Sequence, residues 1–122
     1  MNRPHKKLDV WKEGVALATE IYKLTETFPK SEIYGLVSQM RRAAVSVPSN
    51  IAEGAARNSN KEFAQFLNIA GGSLSELDTQ IEIATNLGYV TPEERQLIDG
   101  KISAISAKLA GFITNIRKRL TT

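Results

Sequence analysis

The sequence predicts an all-α protein, an antiparallel up-down-up-down four-helix bundle in which helix 2 is kinked near Pro48. Four stretches carry apolar residues at every third or fourth position, and no segment alternates apolar and polar residues as a half-buried strand does. The three predicted connections are only a few residues long, which favours antiparallel packing of consecutive helices. At 122 residues the chain fits a single domain, residues 1–122, with a mobile N-terminus at residues 1–7.

The first two predicted helices are separated by Pro29. The second helix begins after Ser31, which can cap it, and keeps one apolar face to about Arg57. Pro48 within it removes one backbone hydrogen bond and costs about 3 kcal/mol unless the helix bends or breaks. Because the apolar spacing is unchanged through residues 33–51, a kink is favoured over a break.

The third and fourth helices carry clear start signals. Ser59 followed by Glu62 forms a capping box, and the TPEE segment at Thr91–Glu94 combines a threonine cap, a proline at the first helical position and a glutamate at the third. Gly71 and Gly72 fall inside the third helix, where each costs roughly 1 kcal/mol relative to alanine. The close approach of another helix would explain them.

Composition excludes several classes of protein. The longest run without a charged side chain, Phe63 to Ser75, is too short for the roughly 20 apolar residues of a membrane-spanning helix. The basic start of the chain is interrupted by Asp9 and Glu13, so it does not resemble a secretion signal. Without cysteine there is neither a disulfide framework nor a thiolate metal site. We expect a cytoplasmic protein with no membrane contact, no cofactor and no small-molecule substrate.

Positive charge is predicted to gather at one end of the bundle. Antiparallel packing brings together the start of helix 1, the end of helix 2, the start of helix 3 and the end of helix 4. The basic residues at these places are Arg3, Lys6, Lys7, Arg57, Lys61, Arg117, Lys118 and Arg119. They form a candidate nucleic-acid-binding surface, and the alternative is ordinary solvated charge that offsets helix dipoles. Among aromatic residues, only Trp11 is expected nearby, and it is predicted to belong to the core.

Helix 2 carries a second unusual face. At 100° per residue, Arg41 falls near the edge of the apolar stripe and Arg42 on the opposite side, among short polar side chains that allow another backbone to come near. This face is a candidate oligomer interface or polar network, with a merely polar surface as the alternative. Its candidate residues are Gln39, Arg41, Arg42, Ser46, Asn50 and Glu53.

Catalytic and metal-binding patterns are not found. His5, the only histidine, lies in the N-terminal segment that is expected to be mobile, which disfavours a histidine-based triad. Glu76, Asp78 and Glu82 suggest a hard-cation site, but Glu76 and Asp78 point to different sides of a helix. We therefore predict no catalytic residues, no metal and no enzyme activity. A metal-dependent nuclease that uses Glu76 or Glu82 is the enzymatic alternative.

Three long segments resemble a known family. They are LDVWKEGVALATEIYKLTETFP, EIYGLVSQMRRAAVSVPSNIAEGAAR and KEFAQFLNIAGGSLSELDTQI, and the likeness extends from about Leu8 to Leu120. The chain resembles the four-helix-bundle proteins of the 23S rRNA intervening-sequence family. The resemblance implies a small bacterial protein that assembles as a ring-like homopentamer. It marks as the family segment Arg41, Arg42, Ser46, Pro48, Asn50, Glu53 and Gly54, joined by Ser73 and Glu76.

Two functional hypotheses follow from the residues and the resemblance. The first is a non-catalytic oligomeric bundle that binds RNA or another nucleic acid through its basic surface. The more distant accessory proteins of diversity-generating retroelements, which present a basic surface to nucleic acid and a reverse transcriptase, look similar in fold. The alternative is a protein-interaction scaffold or accessory subunit with no direct nucleic-acid binding. In both, Pro48 bends helix 2, Ser46 and Asn50 satisfy polar groups near the bend, and Glu53 pairs with an arginine.

Overall fold

The computed structural model describes residues 2–121, and within them it contains four α-helices and no β-strand. The helices are α1 (Asp9–Thr25), α2 (Ser38–Ala55), α3 (Asn60–Asn86) and α4 (Pro92–Thr121). The predicted all-α class with four helices is confirmed. Met1 and Thr122 of the predicted domain lie outside the described residues.

Consecutive helices run antiparallel, as their contacts show. Along α1 and α2, Gly14 lies against Pro48, whereas the later Thr25 lies against the earlier Arg41. The same reversal holds for the next two pairs, through the contacts Ser46–Ser73 and Gly54–Phe66 for α2 and α3, and Phe63–Phe112 and Arg95–Glu82 for α3 and α4. A 2.6 Å ion pair between Lys108 and Glu13 links α4 to α1. The four helices therefore form a closed up-down-up-down bundle.

The core lies between the four apolar stripes that the spacing predicts. Its fully buried large side chains come from every helix and include Leu17, Ile21, Met40, Val47, Ile51, Leu67, Leu77, Ile81, Ile105 and Ile116. No helix in the described part of the chain has an apolar stretch long enough to cross a bilayer.

Side-chain caps fix the starts of α3 and α4. The Ser59 hydroxyl accepts a hydrogen bond from the Glu62 amide at 3.1 Å. At Thr91 the capping box is complete, because its backbone N–H donates to the Glu94 carboxylate at 2.9 Å and its hydroxyl accepts from the Glu94 N–H at 3.2 Å. The predicted caps are thus confirmed at both helices, with the full capping box present at Thr91. Between the two helices, Gly88 turns the chain at a φ of 81°, in the region that favours glycine.

The predicted start of helix 2 is wrong. A 3-10 turn at Lys30–Glu32 and a π-type turn at Ile33–Val37 precede α2, and Gly35 within the π-type turn has non-helical dihedral angles of φ −109° and ψ −110°. The Glu32 carboxylate accepts a hydrogen bond from the Leu36 N–H at 3.3 Å and so satisfies a donor at this irregular turn. The apolar spacing continues across the interruption, which is why periodicity alone places one long helix here.

Pro48 is buried inside α2, which continues through it without a break. Its ring lies against Gly14 of α1, where an added Cβ would be only 3.3 Å from the Pro48 Cβ. The helix break that the sequence left as an alternative is therefore excluded, and the bend at Pro48 stays a prediction.

The close contacts of glycine lie elsewhere than predicted. An added Cβ at Gly71 or Gly72 would meet no atom of the described residues within 4 Å, so the predicted close approach is wrong within this chain. At Gly54, by contrast, a Cβ would lie 2.7 Å from the Phe66 Cβ and 3.0 Å from the Phe63 ring. Gly54 thus sets the distance between the end of α2 and the start of α3.

We predict that Gly54→Ala destabilises the protein by about 1–3 kcal/mol, because the new methyl group must displace well-packed side chains. The matched control is Gly100→Ala in α4, where the added Cβ meets nothing within 4 Å. It should stabilise the helix by up to about 1 kcal/mol. Urea unfolding followed by circular dichroism measures both, and equal effects of the two substitutions would contradict this account of Gly54.

Candidate nucleic-acid interface and helix 2 polar face

The eight predicted basic residues, which we call the basic end, are all exposed. Arg3, Lys6 and Lys7 lie in or beside a 3-10 turn, Pro4–Lys7, that immediately precedes α1. Arg57 follows α2 by two residues, Lys61 is the second residue of α3, and Arg117, Lys118 and Arg119 lie near the end of α4. Antiparallel packing places these helix termini at the same end of the bundle.

A groove at this end, the end groove, brings three of these elements into one surface. Its lining includes Lys7 before α1, Asn60 at the start of α3, and Asn115 and Arg119 near the end of α4. Its volume is about 580 Å³, which is within the roughly 300–1,000 Å³ of typical ligand sites. The structure therefore joins residues that are more than 110 positions apart in the sequence, as Lys7 and Arg119 are.

Two phenylalanines form part of the lining of the end groove. The rings of Phe63 and Phe112 meet edge to face, with centroids 5.1 Å apart and an angle of 67° between their planes. The expectation that only Trp11 would be the aromatic residue near the basic end is therefore wrong. Trp11 is half-buried against the core, as predicted, and packs edge to face with His5 at 4.9 Å. Phe63 and Phe112 lie on the apolar faces of their helices and pack partly against the core, so helix spacing alone does not show that they also line this groove.

Acidic neighbours moderate some of the positive charge. The guanidinium of Arg57 pairs with Glu53 at 3.3 Å and lies 4.8 Å from the centre of the Phe66 ring. This pairing is the one expected between Glu53 and an arginine. Lys108 lines the end groove but is paired with Glu13 at 2.6 Å, and Asp9 also lies in the lining.

Arg41 is used within the chain. Its Nε donates to the Thr25 hydroxyl at 2.9 Å and its guanidinium donates to the Tyr22 carbonyl at 3.2 Å. The same guanidinium lies 4.5 Å from the centre of the Tyr22 ring. Arg41 thus ties the first half of α2 to the C-terminal turn of α1, a partner that helix periodicity cannot identify.

Ser46 links α2 to α3, and Asn50 of α2 is bonded to it. The hydroxyls of Ser46 and Ser73 are 2.8 Å apart. The Asn50 amide donates both to the Ser46 carbonyl, at 2.8 Å, and to its hydroxyl, at 2.9 Å. About two turns further along α3, Gln80 is almost fully buried. Its Nε2 donates to Glu76 at 3.2 Å, and its Oε1 has no hydrogen-bond partner among the described residues. The seam between α2 and α3 is therefore polar where Ser46 meets Ser73, whereas near the end of α2 it is formed by Gly54, Phe63 and Phe66.

Gln39, Arg42 and Glu53 of the predicted face are exposed on the outside of this seam. Ile69 and Ile83 of α3, which are on the same helical stripe as Ser73, are about half exposed. We call this surface, with Arg42 on α2 and Ile69 and Ile83 on α3, the seam face.

The opposite end of the bundle holds two polar links. Burial, the hydrogen bond to Glu32 at 3.2 Å and the negative charge of Glu32 all raise the pKa of the Tyr89 hydroxyl. Arg95 of α4 pairs with Glu82 of α3 and with Asp99. Its burial lowers its pKa, but the hydrogen bonds and charges of the two carboxylates outweigh this effect and raise it. Among the described residues, no group of three acidic or histidine side chains is arranged to hold a metal ion.

Comparison with known proteins supports the sequence resemblance. The family model described as 23S rRNA-intervening sequence protein matches residues 6–111. A solved structure from Bacteroides thetaiotaomicron, described as a protein with unknown function from the S23 ribosomal protein family, superposes with a TM-score of 0.77. It is 24% identical in sequence, and the match covers 85% of this chain and 97% of that one. A comparison with curated proteins found no match.

We predict that Arg41→Ala destabilises the fold by about 1–3 kcal/mol, because it removes charge-assisted hydrogen bonds that join α2 to α1. The neighbouring Arg42→Ala is the matched control and should alter folding stability by no more than about 0.5 kcal/mol. Urea unfolding at several protein concentrations separates loss of helix packing from loss of association. A comparable loss for both variants would contradict the assignment of Arg41 to the contact between α1 and α2.

Proposed function

The chain belongs to the 23S rRNA-intervening sequence protein family, and we propose that it is a non-catalytic oligomeric bundle that binds RNA through its basic end. The observation that carries this proposal is the gathering of eight of the sixteen lysines and arginines at one end of the molecule. Clustered, exposed cations are the common feature of surfaces that contact nucleic-acid phosphates.

Helix dipoles explain only part of this charge. Cations near the C-termini of α2 and α4, such as Arg57 and Arg117, are favourable because the last turn of a helix carries partial negative charge. Lys7 precedes α1, however, and Lys61 lies in the first turn of α3, where the helix dipole disfavours a cation. Positive charge at the starts of α1 and α3 therefore does not stabilise these helices. Binding of an anionic partner would explain why it is there.

The seam face supports assembly as the second part of the proposal. Ile69 and Ile83 of α3 remain about half exposed, and a Cβ at Gly72 on the same helix would meet no described atom. Such a surface allows the backbone of a second copy to approach α3 closely while covering apolar area. By family resemblance we propose a homopentamer. Repetition of a weak phosphate-binding surface raises affinity through effective concentration.

We predict that a structured ribosomal RNA fragment binds with an affinity that falls linearly with salt concentration on logarithmic axes. Neutralising Arg117, Lys118 and Arg119 to glutamine should weaken binding and reduce the slope by roughly 2–3 per subunit engaged, because each phosphate contact releases counterions. Fluorescence anisotropy across a potassium chloride series measures both quantities.

The matched control neutralises Lys23, Lys30 and Lys101, which lie away from the basic end. Their replacement by glutamine removes the same net charge. It should leave the slope close to that of the wild-type protein. If both triple variants lose affinity equally, net charge rather than the basic end is responsible. Absence of binding by the wild-type protein at low salt would rule out the nucleic-acid function.

A protein-interaction scaffold is the second candidate, favoured by the seam face. In this alternative Arg42 serves a contact between subunits, and the basic end is solvated surface. We predict that Arg42→Glu reduces the molar mass of the assembly, because a reversed charge opposes its former partner across the contact. Size-exclusion chromatography with light scattering gives the mass, with Lys30→Glu as a control for charge alone. An unchanged mass for Arg42→Glu would count against a subunit contact there.

A further inference from the structure

The end groove combines aromatic surface with positive charge. The paired rings of Phe63 and Phe112 lie in its lining, and both are only half-buried. Lys7 and Arg119 lie at opposite ends of the sequence but line this same groove. Ligands that suit such a groove carry both a flat apolar ring and an anionic group.

The remaining lining narrows the class of ligand. The amides of Asn60 and Asn115 each offer both hydrogen-bond donors and acceptors, as the edge of a nucleobase requires. Lys108 is paired with Glu13, so the charge of the lining is set by Lys7 and Arg119 against the single acidic member Asp9, and it is positive overall. A nucleotide has an anionic phosphate, a flat aromatic ring and a polar base edge, which correspond to the three kinds of residue in the lining.

We infer that the end groove binds an unpaired nucleotide of RNA, with its base against the Phe63–Phe112 pair and its phosphate near Lys7 and Arg119. This inference rests on the proposed function and adds that the RNA is recognised where it is unpaired. Bases in a duplex are stacked on one another and present only their edges in the grooves, so their faces are not available to a side chain. Only a base that is not stacked in a duplex can place its face against the phenylalanine rings in the end groove.

The discriminating substitution is Phe112→Leu, which keeps apolar volume but removes the aromatic face. The matched control is Phe28→Leu at the opposite end of the bundle, where Phe28 packs on Tyr89 with centroids 5.3 Å apart. Two fluorescein-labelled probes are used with the intact chain, an unstructured 12-nucleotide RNA and a 12-base-pair RNA duplex. Circular dichroism checks that each variant is folded.

The expected result is that Phe112→Leu weakens binding of the single strand by roughly 5- to 100-fold, the range of base–aromatic stacking. Its duplex affinity and its salt slope should stay at wild-type values, because no phosphate contact is lost. Lys7→Gln should instead reduce the salt slope for the single strand. Phe28→Leu should change neither affinity.

Other outcomes separate this inference from the proposed function. If the wild-type protein binds RNA but Phe112→Leu binds the single strand as well as wild type does, the nucleotide site is overturned and the basic end still binds RNA. An equal loss for single strand and duplex would also overturn stacking in the groove. If neither probe nor the structured ribosomal fragment binds wild type at low salt, both proposals fail.

Discussion

The packing of Pro48 against Gly14 is the contact on which the rest of the bundle depends. It sets the distance between α1 and α2, because any larger residue than glycine at position 14 would crowd the ring. A proline inside a helix costs about 3 kcal/mol, and burial of the ring in this contact offsets part of that cost. Helix α2 packs against α1 at Pro48 and against α3 at Gly54. These two contacts set its distance from both neighbouring helices, and α4 then packs between α3 and α1.

Local signals in the sequence were enough to predict the class and two of the helix starts. Thr91 and Glu94 cap α4 through contacts three residues apart, so their spacing carries all the information needed. The prediction of where α2 starts was wrong because the apolar periodicity continues through Gly35, where the backbone leaves the helical region. A periodic pattern reports which face is buried, and it does not report whether the backbone between two turns stays helical.

The sequence was sufficient to predict the positive charge of the candidate site, but it could not predict the groove. The gathering of basic residues follows from chain direction alone, so antiparallel topology was sufficient to place them. The end groove depends instead on where Phe63 of α3 meets Phe112 of α4, which is set by the rotation and offset of two helices. Likewise, helix periodicity separates Arg41, near the edge of the apolar stripe, from Arg42 on the opposite side, but only the contacts with Thr25 and Tyr22 show that Arg41 joins α2 to α1.

The two proposed surfaces lie on different parts of the bundle, which makes them compatible. The seam face runs along the sides of α2 and α3, whereas the end groove opens where helices begin and end. A contact between subunits through the sides leaves the ends uncovered. In a closed ring with cyclic symmetry about an axis along the helices, identical ends point in the same direction. If the proposed assembly is such a ring, every copy would contribute its basic end to one rim, and a long RNA would meet several of the proposed phosphate-binding surfaces and nucleotide grooves at once. A dihedral assembly would instead place these ends on opposite sides.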